Sequence, residues 1–125
     1  MNNYTDVALE FERWNNALQT GCPKTVAKLY HKSAILLPTI SNKMRTNIEE
    51  IEDYFEIFLP LKPQGKVISS NIRVVGDIGI NSGICQFNLE GQGEVQARYT
   101  FVYQWINNRW QIIEHHSSRM PEAVS

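Results

Sequence analysis

The chain has 125 residues, 42% of them hydrophobic and 20% charged, with a formal net charge of -1. That is the length of one domain, here residues 1–125, which can bury a core without disulfide or metal staples. The near-neutral charge gives no electrostatic reason to expect nucleic acid or an anionic membrane as partner, since either would want a concentrated basic face, and no apolar run approaches a bilayer span.

A first helix is predicted from about Thr5 to Thr20, where Val7, Phe11, Trp14 and Leu18 form one stripe with Ala8 and Ala17 beside it. Asp6, Glu10 and Glu12 lie toward its start, favourable for the helix dipole. "TGCP" ends it, since Gly21 suits a left-handed cap and Pro23 cannot continue the same helix. A short second helix follows, with Val26, Ala27, Leu29 and Tyr30 as its apolar members. "SAILLPT", closed by Pro38, reads as a short strand, and "TISNKMRT" as a turn with a brief second strand. Thr46 and Glu49 have capping-box spacing. Ile48, Ile51, Phe55 and Phe58 then recur at helical spacing, with Tyr54 on the flank, until Pro60 and Pro63 end the helix.

From Gly65 the period changes to two. "KVISSNIRVVGD", "IGINSGICQFNLEG", "EVQARYTFVYQWI" and "RWQIIEHHSS" read as four strands, joined at Gly76-Asp77, Gly91-Gln92-Gly93 and Asn107-Asn108. Helices followed by an antiparallel meander make an α+β domain. "YTFVYQW" is apolar on both faces, so both need cover: the helices supply one and a second subunit would supply the other. The opening "MNNYTDVALEFERW" has neither the basic start nor the apolar middle of a signal peptide. Cys22 and Cys85 form no CxxC pair and read as free thiols, so a cytoplasmic protein is expected.

This order of elements resembles the nuclear transport factor 2-like (cystatin-like) cone, about three N-terminal helices packed on a curved, mainly antiparallel sheet. The ending "RWQIIEHHSSRMP" is similar to the terminal motif of the calcium/calmodulin-dependent protein kinase II association domain, through Trp110, Gln111, Ile112, His116, Ser118 and Pro121. "LLPTISNKMRT", "DYFEIFLPLKPQG", "INSG" and "ARYTFVYQW" are closer still to its stand-alone bacterial relatives of the SnoaL-like and SgcJ/EcaC types. The resemblance runs from about Val7 to Pro121. It implies a homodimer or higher oligomer joined through its sheets, with a pocket inside each cone. It does not imply phosphoryl transfer, since the chain has no Gly-rich phosphate loop, HRD or DFG. A basic amphipathic calmodulin-target helix is missing too. The kinase hub carries arginines on its inner strands that can receive an acidic ligand. The matching positions here hold Gln86, Phe101 and Ser117, leaving Arg73 and Arg98 on neighbouring strands to reach inward if a bulge shifts the register.

Alternation puts Gln111, Ile113, His115 and Ser117 on one face of the last strand and Trp110, Ile112, Glu114 and His116 on the other. The motif alignment makes the His115 face the pocket face. His115 then reads as a proton carrier or as a hydrogen-bonded wall residue, and His116 as support for the sheet or an interface. Because the two histidines point apart, no metal site is expected. Tyr99, Phe101 and Tyr103, with Trp105 continuing the row, make either core or an apolar pocket wall. Trp14, Tyr30, Tyr54 and Phe58 would close the same cavity from the helices, Tyr54 offering its hydroxyl. Gln86 is polar within a two-sided apolar strand and needs a partner, which a ligand could supply. On this reading His115→Ala spares folding and weakens ligand binding, whereas His116→Ala destabilises the protein or its dimer.

Two functions follow. One is a stand-alone association module that oligomerises with itself and binds a small organic ligand in the cone without catalysis. The other is an enzyme of SnoaL or ketosteroid-isomerase style, with His115 as acid/base and Tyr54 or Gln86 polarising a substrate oxygen. Such cones host many chemistries, so the fold does not choose between them. The strands show no clear inward carboxylate to serve as a base, which favours binding. No GxSxG elbow accompanies Ser117 and Ser118, and without a dinucleotide fingerprint no cofactor is expected.

Overall fold

The computed structural model describes residues 3–121. Helix α1 (Tyr4–Gln19) opens on a capping box, in which the Asn3 side chain accepts from the Asp6 amide at 3.0 Å and the Asp6 carboxylate accepts from the Asn3 N–H. Its stripe of Val7, Phe11, Trp14 and Leu18 is buried. Gly21 ends the segment at φ +68°, a conformation that needs glycine because a Cβ there would meet its own backbone.

Helix α2 (Pro23–Ala27) stops before Leu29 and Tyr30, which the apolar pattern had included. The Leu29 carbonyl instead accepts from the Ile112 N–H at 3.0 Å, and Tyr30 pairs with Ile112, so the sheet claims both residues. Strand β1 (Tyr30–Leu37) is followed by an isolated Leu36–Arg45 bridge, the brief strand expected of "TISNKMRT". Helix α3 (Ile48–Phe58) and a 3₁₀ turn (Leu59–Leu61) come next. The cap of α3 lies one residue beyond the expected position. Asn47, not Thr46, accepts from the Glu50 amide at 2.9 Å, and the Glu50 carboxylate reaches back to the Thr46 amide at 2.9 Å.

Strands β2 (Gln64–Val75), β3 (Ile78–Leu89), β4 (Gly93–Ile106) and β5 (Arg109–Arg119) complete a five-stranded curved sheet of order β1-β5-β4-β3-β2. All pairs are antiparallel except β1 with β5. The expected α+β class holds, and the hairpin residues Asn107 and Asn108 take φ values of 54° and 63°, as a two-residue turn requires. Among the described residues no helix is long and apolar enough to cross a membrane.

Two bulges decide which side chains face inward. On β5, Val102 pairs with Glu114 but Tyr103 with Ile112, so Ile113 is the extra residue. Strict alternation therefore fails there: Ile112 and Trp110 join His115 on the inner face, beneath Tyr103 and Trp105. On β2 the register shifts between Val67 and Ser69, leaving Ile68 unpaired and bending the strand. The concave face buries its aromatics against α1 and α3. Phe11 lies 5.5 Å from Tyr99 and 6.1 Å from Phe101, and Phe58 meets Phe87 at 5.7 Å, ring centre to ring centre. Such pairs each add about 0.5–1.5 kcal/mol beyond the burial of their area.

Candidate functional site

The cone interior is nearly full of rings, and what remains is a narrow apolar cavity near the ends of β1 and β5. About 60 Å³ is open to the centres of water-sized atoms. Its floor is Phe11, Trp14, Phe87 and Phe101; α3 contributes Tyr54 and Phe58, and β4 contributes Tyr99. The mouth lies where the lining becomes exposed, at Ile40, Gln92 and Arg119. No lining residue is an Asp or Glu.

His115 sits at the inner wall, 4% exposed, with its ring stacked on Phe101 (centroids 4.0 Å apart, planes at 17°) and meeting the edge of Trp14 at 5.4 Å. Its Nδ1 lies 2.7 Å from the Tyr30 hydroxyl, and that hydroxyl oxygen accepts from Trp14 Nε1 at 3.2 Å. The chain of bonds favours one tautomer. The Tyr30 hydroxyl has no other acceptor among the described residues, so its proton is best spent on His115 Nδ1, an arrangement that places the imidazole proton on Nε2. No hydrogen-bond partner for Nε2 occurs among the described residues, which leaves its N–H open on a cavity-lining ring. Burial, helped by repulsion from His116, drives the His115 pKa down to about 3, so the ring is neutral near pH 7.

Other polar atoms join it. Thr39 donates to Ser117 Oγ at 2.6 Å, leaving the Ser117 hydroxyl proton for another acceptor. Tyr54 has no hydrogen-bond partner among the described residues, and burial holds its phenol well above the usual range. Tyr99 spends its proton on Asn81 Oδ1 at 2.8 Å. The Cys85 thiol is pushed up to about 12 by burial, which keeps it protonated and unreactive. The site is thus an apolar slot with the donors His115 Nε2–H, Ser117 O–H and Tyr54 O–H, and no base with a free lone pair on a titrating nitrogen.

Of the residues singled out in the sequence, Trp14, Tyr54, Phe58, Tyr99, Phe101, His115 and Ser117 line this cavity. Tyr30 stands behind His115 and acts through it. Tyr103 lies deeper in the core, stacked on Phe101 at 5.7 Å. Gln86 is a correction. It pairs with Lys66 and Gln96 on the convex face and donates to Glu94 Oε2 at 2.9 Å, because packing of Phe87 against Trp14 and Phe58 sets the opposite parity inward. Arg73 and Arg98 are likewise exposed on the convex face, opposite Ile80 and Ile84. His116 is also convex-facing and exposed, between Thr100 and Leu37.

The cone's buried arginine is instead Arg45, 5% exposed, which donates to the Glu50 carbonyl (3.0 Å), Ser41 Oγ (3.1 Å) and the Lys43 carbonyl (3.3 Å), its guanidinium carbon 5.9 Å from the centre of the Tyr54 ring. It holds the loop that carries Thr39 and Ile40 over the mouth. Nothing in its sequence neighbourhood marks it as buried; only the Leu36–Arg45 bridge brings it in.

Known proteins sharpen this picture. The family described as the calcium/calmodulin dependent protein kinase II association domain matches residues 3–121. No functionally curated protein matches the chain. Among solved structures, a Xanthomonas campestris protein assigned as such an association domain is 46% identical, with 94% of this chain and 87% of that one covered and a TM-score of 0.91. A nuclear transport factor 2-like protein with a cystatin-like fold from Novosphingobium aromaticivorans is 7% identical (96% and 83% covered, TM-score 0.80). A candidate ketosteroid isomerase from Parabacteroides distasonis is 19% identical (94% and 87% covered, TM-score 0.71). These last two share the fold alone. By the family match and its 46%-identical relative, the chain belongs to the calcium/calmodulin dependent protein kinase II association domain family.

Proposed function

We propose that this protein is a cytoplasmic association module, which pairs with itself through the convex face of the sheet and holds a small, mostly apolar molecule in the cone without transforming it. The observation that carries the binding half is the Trp14–Tyr30–His115 chain of hydrogen bonds: Nδ1 is occupied by the Tyr30 hydroxyl, the ring is neutral near pH 7, and with Tyr30 donating, Nε2–H is left as a donor toward the cavity. A histidine so held offers a hydrogen bond to an oxygen, while its one in-plane lone pair, on Nδ1, is occupied by the Tyr30 hydroxyl and faces away from the ligand. The ligand class that fits is a compact molecule with one carbonyl-type acceptor directed at His115 and Ser117 and a hydrocarbon remainder against Trp14, Phe87 and Phe101. The association half rests on family membership and on Ile78, Ile80, Ile84 and Val102, which share the convex face and are only half-buried in the single chain.

Native mass spectrometry of protein purified without added ligand tests both halves. The expected spectrum shows a homo-oligomer carrying a small added mass that is lost in His115→Phe, while Ile84→Asp yields monomers. A wild-type monomer, or a bound molecule released at a changed mass after incubation, would overturn the non-catalytic association reading.

A further inference from the structure

A second concavity lies outside the cone, where β1 leaves β5. The parallel ladder pairs Tyr30 with Ile112 and resumes only at Ile35 with Glu114, so the residues between them on β1 bow away from the sheet. The opening is a groove of about 890 Å³, within the range of sites for small organic molecules. Lys24 of α2, Lys28 at its C-cap, Lys32 of β1 and Arg109 of β5 surround it, with His31 among them and Glu52 as its single carboxylate. None of the four cations forms an ion pair among the described residues. Arg109 donates to the Lys28 carbonyl at 3.2 Å and lies within electrostatic range of Glu10, which leaves Lys24, Lys28 and Lys32 as the free cations; in a chain of net charge -1, four cations around one concavity are a strong segregation of charge.

The floor adds a second, independent feature. Gln111 is 7% exposed and its Nε2 donates to the Ile106 carbonyl at 3.2 Å. A carbonyl accepts only from the amide nitrogen, so the orientation is fixed and Oε1 is the free atom. No hydrogen-bond partner for that oxygen occurs among the described residues, and the atom is not among their fully buried ones, so an otherwise buried residue leaves an acceptor open at the groove it lines. Ile48 and Ile106 supply an apolar surface beside it.

We propose that this groove binds a small organic phosphate, with the phosphates on Lys24, Lys28, Lys32 and Arg109 and the organic part against Ile48 and Ile106. There an N–H or O–H of the ligand donates to Gln111 Oε1. Charge alone would suit any polyanion; the open Gln111 acceptor and the apolar floor favour one with an organic, donor-bearing body. The site is separate from the cone, and its reading does not depend on what the cone holds.

Adenosine diphosphate and inorganic pyrophosphate are the probes, titrated at low salt and followed by amide chemical shifts. Adenosine diphosphate is expected to shift Lys28, Ile48, Ile106 and Gln111 and to bind more tightly than pyrophosphate. The exposed double variant Lys28→Glu, Lys32→Glu should weaken it by about tenfold or more, whereas Lys62→Glu, remote from the groove, should not. Several outcomes overturn the proposal: no shifts at millimolar nucleotide, shifts confined to cone residues such as Thr39 and Ala97, equal loss in Lys62→Glu, or pyrophosphate binding as tightly as the nucleotide. Capture of an acidic peptide in place of the nucleotide, lost in the same double variant, would also overturn it and make the groove a protein-docking surface.

Discussion

His115→Ala is expected to lower stability by about 3 kcal/mol, combining the cavity left under Phe101, the lost ring stacking and an orphaned Tyr30 hydroxyl. For a chain of this length that is a fall in Tm of roughly 10 °C. This reverses the expectation that removing His115 would spare the fold, because the ring is a core element as well as a cavity wall. His115→Phe separates the two roles: it keeps a ring on Phe101 and loses only the acceptor for Tyr30, so its cost should be nearer 1–2 kcal/mol. pH supplies a sharper readout. Because burial lowers the folded-state pKa to about 3 from 6.5, the contribution of His115 is complete above pH 6.5. As pH falls from there toward 3, the unfolded chain takes up a proton that the folded chain refuses. Stability is lost at up to about 1.4 kcal/mol per pH unit. Glu10, whose pKa is raised by burial, opposes this below its own folded pKa, since there the native state binds the proton first. Urea unfolding of the wild type and His115→Phe at pH 7, 6 and 5 checks the assignment; parallel slopes in the two proteins would refute it.

The elements of this fold are legible in the sequence because each carries its period: the Val7–Phe11–Trp14–Leu18 stripe, the Ile51–Phe55–Phe58 face and the alternating strands from Gly65 onward. Facing is less legible. Ile68 and Ile113 carry no turn chemistry that marks them as bulged, yet the bulge at Ile113 moves Trp110 and Ile112 to the inner face. Gln86 shows the same limit from another side. The local pattern separates it from Cys85 and Phe87, but which of the two parities is inward depends on Phe87 finding Trp14 and Phe58, both distant in sequence. The chemistry of the site is less legible still. That His115 turns a donor, not an acceptor, toward the cavity follows from Tyr30 and Trp14, 85 and 101 positions earlier, and no local motif encodes that relay.

The inner faces also explain one glycine whose replacement should be the most damaging single-atom change in the sheet. Gly83 lies on the concave side of β3, paired with Ser70 on β2 and Tyr99 on β4. Just past the Ile68 bulge, β2 curls over it: a Cβ at Gly83 would run into the Ser69 carbonyl oxygen and come within 2.8 Å of the Ser69 carbonyl carbon and 3.0 Å of Ser70 Cα. All three are backbone atoms, so relief requires moving the strand, not rotating a side chain. Gly83→Ala is therefore expected to cost about 3 kcal/mol or more and to flatten the edge of the cone. Gly79 is the internal control. A Cβ there meets Val7 Cγ2 at 2.7 Å, a side-chain methyl that can turn aside, and Gly79→Ala should cost less. Thermal melts rank the two variants, and amide exchange locates the damage: Gly83→Ala should lose protection along β2 and the facing stretch of β3 while α1 stays protected. Equal melting temperatures for the two variants would mean that β2 gives way more easily than its paired length suggests. The closure of the cone would then depend on the helices packed inside it more than on the tight β2–β3 crossing at Gly83.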